Sequence, residues 1–202
     1  MKKIAIIYHS AHGHTQYIAR HICSGVMEVE GIEAHLARAE DLAGQPDRLR
    51  AYDGLILGSP TYLGGVSGQF KTFMDATGPL WRTQGLKGRL AAAFTVSSLP
   101  AGDKQSTLMS LFTFCMQHGM IWIGNPILPE QRGGVPEAEA ANRLGSWTGL
   151  MAQAGHASPP AAFPPGDLKT ARMFGAHFAR SVHRFAEPAP GADVAGAASL
   201  EA

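Results

Sequence analysis

Four stretches of the chain are apolar at successive positions, a pattern that buries both faces of an extended segment. They span residues 4–8, 55–57, 90–96 and 120–123. Strands that are apolar on both faces are typical of the centre of a parallel sheet with helices on each side. Residues 32–36 instead alternate apolar and polar side chains, which indicates a strand at the edge of the same sheet. The pattern therefore predicts five strands.

Between these strands, apolar side chains recur with the spacing of amphipathic helices. Ser67 and Asp167 are predicted helix N-caps, and Gly119 is a predicted C-cap. Strands that alternate with helices form a parallel sheet through right-handed crossovers. We therefore expect an α/β fold with a doubly wound, five-stranded parallel sheet. The apolar helix positions are Tyr17, Ile18, Ile22, Val26 and Val29, then Phe70, Phe73 and Met74, then Leu108, Leu111, Phe112, Cys115 and Met116, and finally Ala171, Phe174, Phe178, Val182 and Phe185.

The chain of 202 residues is long enough for one domain and gives no sign of a second core. Residues 125–166 are rich in Gly, Pro and Ala with little periodicity, which is typical of a long connection at a site or an interface. Residues 187–202 have a similar composition and predict a frayed C-terminal tail. The expected organisation is one domain over residues 1–186 followed by this tail.

Composition excludes several classes of protein. Apolar residues make up 45% of the chain and charged residues 16%, which excludes a disordered protein. The net charge of +1 creates no field of one sign to attract nucleic acid or an anionic membrane. Cys23 and Cys115 lie in helical patterns, and no apolar run reaches the roughly 18 residues that span a bilayer. We expect a cytoplasmic protein with two buried thiols and with neither nucleic acid nor a membrane as partner.

The first candidate site is the turn at residues 9–15, between the first strand and the first helix. Unpaired backbone N–H groups and the positive dipole end make a helix N-terminus attractive to anions. Ser10 and Thr15 add hydroxyl donors, and Gly13 allows an anion to approach the backbone closely. Neither the P-loop lysine motif nor a G-x-G-x-x-G run occurs here, so the turn suits a terminal monophosphate. The alternative is that Ser10 and Thr15 only cap the helix.

Three histidines in this turn raise the alternative of a metal site, because imidazole is a common metal ligand. The spacing of His9, His12 and His14 does not place three rings on one face, and no carboxylate or thiol lies near them in sequence. We therefore expect no metal at this turn, with the histidines facing solvent or phosphate.

Two further loops, residues 58–69 and 97–103, follow the third and fourth strands. Ligands of doubly wound sheets bind at the carboxyl ends of the strands, where the strand order reverses. The first loop combines exposed backbone amides with an aromatic side chain, and the second is small, polar and glycine-containing. Such loops can hydrogen-bond the edge of a flat heterocycle and cover its face. Either loop alone could be an ordinary connection, but three such loops at one edge predict a ligand site.

The same loops carry motifs found together in a known family. They are Tyr8-His9-Ser10 with Gly13-His14, Tyr52-Asp53, Gly58-Ser59-Pro60-Thr61, Ser67-Gly68-Gln69, Lys71-Thr72-Phe73, Asp75, Thr77-Gly78, Leu80-Trp81, Gln117-His118-Gly119-Met120, Ala171-Arg172 and Gly175. On these residues the chain resembles the flavodoxin-like, FMN-dependent NAD(P)H:quinone oxidoreductases of the tryptophan-repressor-binding-protein group. The resemblance spans residues 3–186, and the run from residue 58 to residue 81 is its most specific part.

The resemblance implies the strand order 2-1-3-4-5 and FMN bound at the three loops. It assigns His118 as a catalytic residue at the pyrimidine edge of the flavin and Trp81 to the border of the substrate pocket. The alternatives are that His118 only favours a helix dipole and that Trp81 only packs. Residues implied to hold the phosphate are Ser10, His12, Gly13, His14 and Thr15; those implied to hold the ring are Pro60, Thr61, Tyr62, Leu63, Gly64, Ser97, Ser98, Gly102 and His118.

The function implied by the resemblance is an oxidoreductase in which FMN takes two electrons from NADH or NADPH and passes them to a quinone or similar small acceptor. The resemblance also implies a homo-oligomer, a dimer or a tetramer. The alternative function is that of a flavodoxin-type electron carrier without a substrate of its own. Such carriers tend to be acidic around the flavin, and the net charge of +1 argues against one.

Overall fold

The computed structural model describes residues 1–185 of the chain. Residue 186 and the predicted tail, residues 187–202, lie outside the described residues. The strands are β1 (Lys2–Tyr8), β2 (Ile32–Arg38), β3 (Gly54–Tyr62), β4 (Gly65–Val66), β5 (Leu90–Ser97), β6 (Ile121–Trp122) and β7 (Leu150–Gln153). The helices are α1 (His14–Met27), α2 (Ala39–Ala43), α3 (Gly68–Ala76), α4 (Gly78–Arg82), α5 (Lys104–Gln117) and α6 (Pro165–Arg184), and 3-10 turns cover Pro46–Ala51 and Glu130–Gly133.

The sheet has the order β2-β1-β3-β5-β6, and all of these neighbours are parallel. Counted along the five predicted strands, this order is 2-1-3-4-5, so the predicted fold class is confirmed. The edge position of β2 is confirmed as well. Two short strands extend the sheet: β4 runs antiparallel to the end of β3, and β7 runs parallel to β5.

The fifth position of the sheet is divided between two segments. Leu90 of β5 pairs with Ile121 of β6, whereas Phe94 farther along β5 pairs with Leu150 of β7. The predicted long connection therefore contains a strand. The sequence did not reveal it, because a strand of four residues is too short to establish an alternating pattern.

The third strand continues beyond its predicted end. Residues 58–62 were predicted as a loop, but β3 keeps pairing with β5 as far as Pro60. Gly58 allows this, because a Cβ at that position would lie 2.0 Å from the ring of Phe94. The loop between β3 and α3 is correspondingly short.

Each face of the sheet packs against its own layer of helices. One face buries Ile4 and Ile6 against α1 and α6, and the other buries Ala5 and Ile7 against α2, α3 and α5. This arrangement explains why β1 is apolar at every position from Ile4 to Tyr8. The thiols of Cys23 and Cys115 are free and buried, one in each layer, as expected.

Two of the three predicted helix caps are confirmed. Ser67 precedes α3 and accepts a hydrogen bond from the N–H of Phe70 at 3.3 Å, and Gly119 turns the chain after α5 with a φ of +67°. The prediction for Asp167 is wrong: α6 begins two residues earlier, at Pro165, and the carboxylate of Asp167 bonds to Arg143. The side chain that the sequence suggested as a cap therefore belongs to a buried ion pair.

Helices long and apolar enough to cross a membrane do not occur among residues 1–185.

Candidate functional site

The carboxyl ends of β1, β3 and β5 meet around a cavity of about 650 Å³. Four chain segments form its wall, namely the turn before α1, the end of β3, the end of β5 and the segment after β7. Nine of the predicted site residues line it together. The lining residues are Ser10, Ala11, His12, His14, Thr15, Pro60, Thr61, Tyr62, Val96, Ser97, Ser98, Ala154, Gly155, His156, Ala157 and Ser158.

The turn before α1 presents unsatisfied polar groups. The Ser10 hydroxyl is buried and has no hydrogen-bond partner among the described residues. Gly13 adopts a left-handed backbone, with φ of +84°, at the N-cap of α1, and no side chain caps the helix there. A Cβ placed on Gly13 would meet no atom within 4 Å, so the space in front of the helix is open. Free amides, a free hydroxyl and open space suit an anion at this helix N-terminus.

The three histidines of this turn point in different directions. His9 is buried, with its Nδ1 2.7 Å from a carboxylate oxygen of Glu40. His14 places its Nε2 2.9 Å from the carbonyl oxygen of Ala157, which joins the turn to the segment after β7. His12 is exposed at the cavity. Within residues 1–185, no three His, Cys, Asp or Glu side chains are placed to hold a metal ion.

The end of β3 forms the second wall of the cavity. The Thr61 hydroxyl lies 2.8 Å from the hydroxyls of both Thr95 and Thr107, so this residue offers its backbone to the cavity. Beyond it, Tyr62 is half-exposed, and Leu63 is fully exposed at φ +48°. Leu63 and Gly64 form the tight turn into β4 and adjoin the cavity without lining it. The turn therefore offers apolar surface next to open backbone, which suits the face and edge of a flat ring.

The loop after β5 supplies the third wall. Ser97 and Ser98 line the cavity, and Gly102 lies behind them. A Cβ on Gly102 would come within 2.2 Å of the Ser97 Oγ, so this position needs glycine for close packing as well as for its φ of +51°. Gly102 thus shapes the loop instead of contacting the cavity.

The fourth wall, residues 154–158, lies in the long connection that the sequence predicted at a site or an interface, but none of its residues was assigned to the site. Its backbone is fixed by hydrogen bonds from Ala154 N–H to Ser97 O (3.0 Å) and from Gly155 N–H to Ala162 O (2.7 Å). This segment brings His156 to the cavity. The one sequence signal was a short run of small and polar residues, and its position became clear only once β7 was placed beside β5.

His118 and Trp81 do not join this cavity within one chain. They lie in a separate cleft of about 340 Å³ between α3, α4 and the end of α5. The reason is the direction of α5, which starts at the carboxyl edge of the sheet and returns to the amino edge before β6 begins. The two residues therefore face away from the phosphate turn.

The imidazole of His118 is nearly enclosed in its cleft. Its Nε2 lies 3.0 Å from the Thr77 hydroxyl, and its ring packs edge-on against Phe114 at 4.7 Å. The Nδ1 atom is buried and has no partner among the described residues. Burial lowers the pKa of His118 from its usual value of 6.5, so the ring is neutral at pH 7. Trp81, at the mouth of the cleft, is 51% exposed.

The cavity at the carboxyl edge fits FMN. The unpaired Ser10 hydroxyl and the open space at Gly13 match a terminal phosphate, and the tight turn at Leu63 matches a planar ring. These features lie in one cavity, on the side of the sheet that the strand order predicts.

Comparisons with known proteins agree with this geometry. The model of the family described as NADPH-dependent FMN reductase matches residues 2–132. A protein of Pseudomonas aeruginosa named flavodoxin FldP is 32% identical over 89% of this chain and 96% of its own length. An Acidithiobacillus ferrooxidans protein named NAD(P)H dehydrogenase (quinone) is 31% identical over the same shares. The crystal structure of a flavodoxin, WrbA-like protein from Agrobacterium tumefaciens, is 28% identical, with a TM-score of 0.70 over 92% of this chain and 100% of that one.

Proposed function

Because the chain belongs to the NADPH-dependent FMN reductase family, we propose that it transfers two electrons from NAD(P)H to a quinone or a similar small acceptor. It is an FMN-dependent oxidoreductase with NAD(P)H as electron donor. The quinone is suggested by the Acidithiobacillus ferrooxidans relative, which is named for that acceptor. The observation that carries the proposal is the open cavity at the carboxyl edge, where a phosphate cradle and a ring-sized slot adjoin.

We assign the phosphate of FMN to the turn before α1. Ser10 would donate its unpaired hydroxyl, Thr15 would add a second, and the amides that follow Gly13 would point at the anion. His12 and His14 stand at the rim of the same cradle, with His14 held in place by Ala157. The missing side-chain cap on α1 is consistent with this role, because the phosphate would replace it.

We assign the flavin ring to the space between the end of β3 and the loop after β5. Bound FMN supplies the redox chemistry, accepting hydride from NAD(P)H and delivering two electrons to the acceptor. The protein's part is to hold the ring between Tyr62 and the Ser97–Ser98 backbone and to leave one face open. The exposed side chains of Leu63 and Leu99 keep the approach to that face apolar, which suits a quinone.

The test of this function is anaerobic reduction followed by addition of the acceptor. The purified protein should be yellow, lose its visible absorbance on addition of NADPH, and regain it when a soluble benzoquinone is added. Steady-state oxidation of NADPH should then depend on the quinone concentration. A protein that is reduced by NADPH but not reoxidised by the quinone would contradict the proposed acceptor.

A flavodoxin-type carrier is the second candidate, favoured by the relative named flavodoxin FldP. A carrier exchanges electrons with partner proteins, so NADPH alone should reduce it very slowly. The net charge of +1 gives the chain no overall negative field of the kind that steers such partners. Rapid reduction by NADPH without another protein favours the enzyme; reduction that requires an added reductase favours the carrier.

One open face of the ring predicts a shared pocket for donor and acceptor. NAD(P)H and quinone should therefore bind in turn, which gives parallel lines in double-reciprocal plots of initial rates. Intersecting lines would require both molecules to be bound together and would contradict the shared pocket.

We further propose that the protein is a homo-oligomer, a dimer or a tetramer, in which the cleft of His118 and Trp81 reaches the flavin of a neighbouring subunit. Within one chain this cleft and the cavity are separate, so only a second copy would let His118 act on the ring. Light scattering should give a mass above that of one chain at micromolar concentration, and a monomer would contradict the proposal.

Co-expression of two variants tests the shared site directly. Gly13→Val should empty the flavin cradle, and His118→Ala should remove the imidazole from the cleft. If the site is shared between subunits, mixed oligomers should regain activity that neither variant has alone. Activity that stays at the sum of the two variants would place each complete site within one chain.

A further inference from the structure

Four consecutive carbonyl groups in the loop after β5 are bound from inside the protein. Gln153 donates its side-chain N–H to the carbonyl of Ser98 at 3.0 Å. The ammonium of Lys104 donates to the next three, at 2.5 Å to Leu99, 3.0 Å to Pro100 and 3.5 Å to Ala101. An ammonium has three N–H bonds, so Lys104 uses all of them on this loop.

Lys104 is completely buried, which is rare for lysine. In the described part of the chain no carboxylate lies within 4 Å of its ammonium. Burial lowers the pKa of Lys104 from its ordinary 10.5 to about 8; the charge of Asp167 opposes this shift and that of Arg143 adds to it. Asp167 is already committed to Arg143 at 2.8 Å. The carbonyls of the loop are therefore the direct partners of this ammonium.

The orientation of these carbonyls decides where the loop amides point. In a trans peptide the N–H of one residue points opposite to the carbonyl of the residue before it. With the carbonyls of Pro100 and Ala101 turned toward Lys104, the N–H groups of Ala101 and Gly102 point outward, away from the core. Neither N–H group donates to an acceptor within residues 1–185. The loop thus holds two free backbone donors on its outer side, at the carboxyl edge of the sheet.

The backbone of the loop is unfavourable without this support. Gly102 and Asp103 both have φ of +51°, and for Asp103 this left-handed conformation is strained. Pro100 removes one backbone donor that could have closed the turn internally. Three of the hydrogen bonds that hold the loop in this shape come from the ammonium of Lys104. The others come from the side chains of Gln153 and Ser97 and from the backbone N–H of Lys104.

We infer that Lys104 is a positioning residue for the flavin: its buried ammonium fixes the loop after β5 and thereby holds the Ser97–Ser98 backbone in place at the cavity. This inference rests on the proposed placement of the ring beside the Ser97–Ser98 backbone. It requires no contact between Lys104 and the flavin. Loss of the ammonium should release the carbonyls, let the loop turn, and weaken FMN binding.

The experiment is a titration of the apoprotein with FMN in which quenching of the flavin fluorescence reports binding. It compares the wild type with Lys104→Gln, Lys104→Met and Lys169→Gln. Charge-assisted hydrogen bonds typically contribute more than about 1.4 kcal/mol, so Lys104→Met should raise the FMN Kd about tenfold or more at pH 7. Lys104→Gln keeps donors of similar reach and should recover part of the affinity. Lys169 is exposed and pairs with Glu130, so Lys169→Gln should bind FMN like the wild type.

A pH series separates positioning from a purely structural role. Between pH 7 and 9.5 the ammonium of the wild type loses its proton, so its FMN affinity should fall with a midpoint near the pKa of about 8. Lys169→Gln should follow the same curve, and the two Lys104 variants should show no such fall. The charged groups facing Lys104 from other segments are Asp167 and Arg143. Both remain in the two Lys104 variants, so a transition that they produced would appear in those variants as well.

The outcomes are distinct. If the wild type does not bind FMN, the proposed function fails. If the wild type binds FMN and Lys104→Met binds it equally well, with the same pH profile, the role of Lys104 is refuted. If circular dichroism shows that both Lys104 variants are unfolded, the pH dependence of FMN affinity in the wild type decides. A wild-type affinity that does not change through pH 8 overturns the inference.

Discussion

At the scale of single residues, the proposed phosphate cradle depends on the backbone of Gly13. Its φ of +84° is a conformation that residues with a Cβ rarely adopt, and it sets the direction of the amides at the start of α1. The space in front of it is open, so a side chain there would occupy the position assigned to the phosphate. A side chain at this position would therefore strain the backbone and also block the approach of an anion.

Gly13→Val should therefore release FMN, with a rise in Kd of at least about tenfold, because strain of about 1–3 kcal/mol adds to the lost anion contacts. The measurement is flavin content after purification, together with a fluorescence titration. Gly134→Val is the matched control, since Gly134 has nearly the same φ of +86° with open space around it, but is exposed far from the cavity. Equal flavin content in the two variants would show that the cradle is misassigned.

At the scale of elements, α1 and α6 approach closely because each contributes a glycine to their contact. A Cβ on Gly25 would lie 1.9 Å from the carbonyl oxygen of Arg172, and one on Gly175 would lie 2.1 Å from that of Ile22. Both obstacles are backbone atoms and cannot rotate away. The pair of helices covers one face of the sheet, and α1 starts at the turn assigned to the phosphate, so the spacing of the two helices also positions that turn.

Gly175→Ala should lower the free energy of unfolding by about 2–3 kcal/mol, because the helices must separate to admit one methyl group. The gain in helix propensity, about 1 kcal/mol, is too small to offset this cost. Gly44→Ala is the control, since Gly44 has an ordinary backbone with open space and should be neutral or slightly stabilising. Urea unfolding of both variants measures the difference, and equal midpoints would contradict the close packing.

At the scale of the whole molecule, the buried charge of Lys104 links global stability to pH. The pKa of Lys104 is about 8 in the folded protein and near the ordinary 10.5 when the chain unfolds. Between these values the unfolded chain binds more protons, so this group makes stability rise with pH. Its protonation at lower pH costs the folded state up to about 3 kcal/mol. The buried charge that shapes the loop after β5 thus lowers the free energy of unfolding.

Urea unfolding of the apoprotein from pH 7 to 10.5 measures this dependence of stability on pH. The quantity to compare is the free energy of unfolding of the wild type and of Lys104→Gln at each pH. The unfolding free energy of the wild type should rise relative to that of the variant as pH increases, because only the wild type has this proton to lose. FMN affinity should change in the opposite direction over the same range. A difference between the two proteins that is independent of pH would show that Lys104 titrates normally.

Several parts of this protein follow from local patterns. A segment apolar at successive positions, such as residues 4–8 of β1, must be covered on both sides. Four such segments and one alternating segment, separated by helical periods, leave few alternatives to a doubly wound sheet. Ser67 before α3 and Gly119 after α5 are equally local, because a cap depends on neighbours three or four residues away. The phosphate turn is readable for the same reason, since strand, turn and helix N-terminus are consecutive.

The remaining features depend on contacts between distant residues. Strand β7 exists because the end of β5 offers a free edge, and it carries His156 to the cavity. Asp167 is an ion-pair partner because folding brings Arg143 to it, and Lys104 is buried because the loop folds back over it. His118 lies at the opposite edge from Ser10 because α5 crosses the whole sheet. The sequence by itself determined the layers and the turn before α1, whose hydrogen-bonding groups are neighbours along the chain; the tertiary structure alone decided which distant side chains face one another.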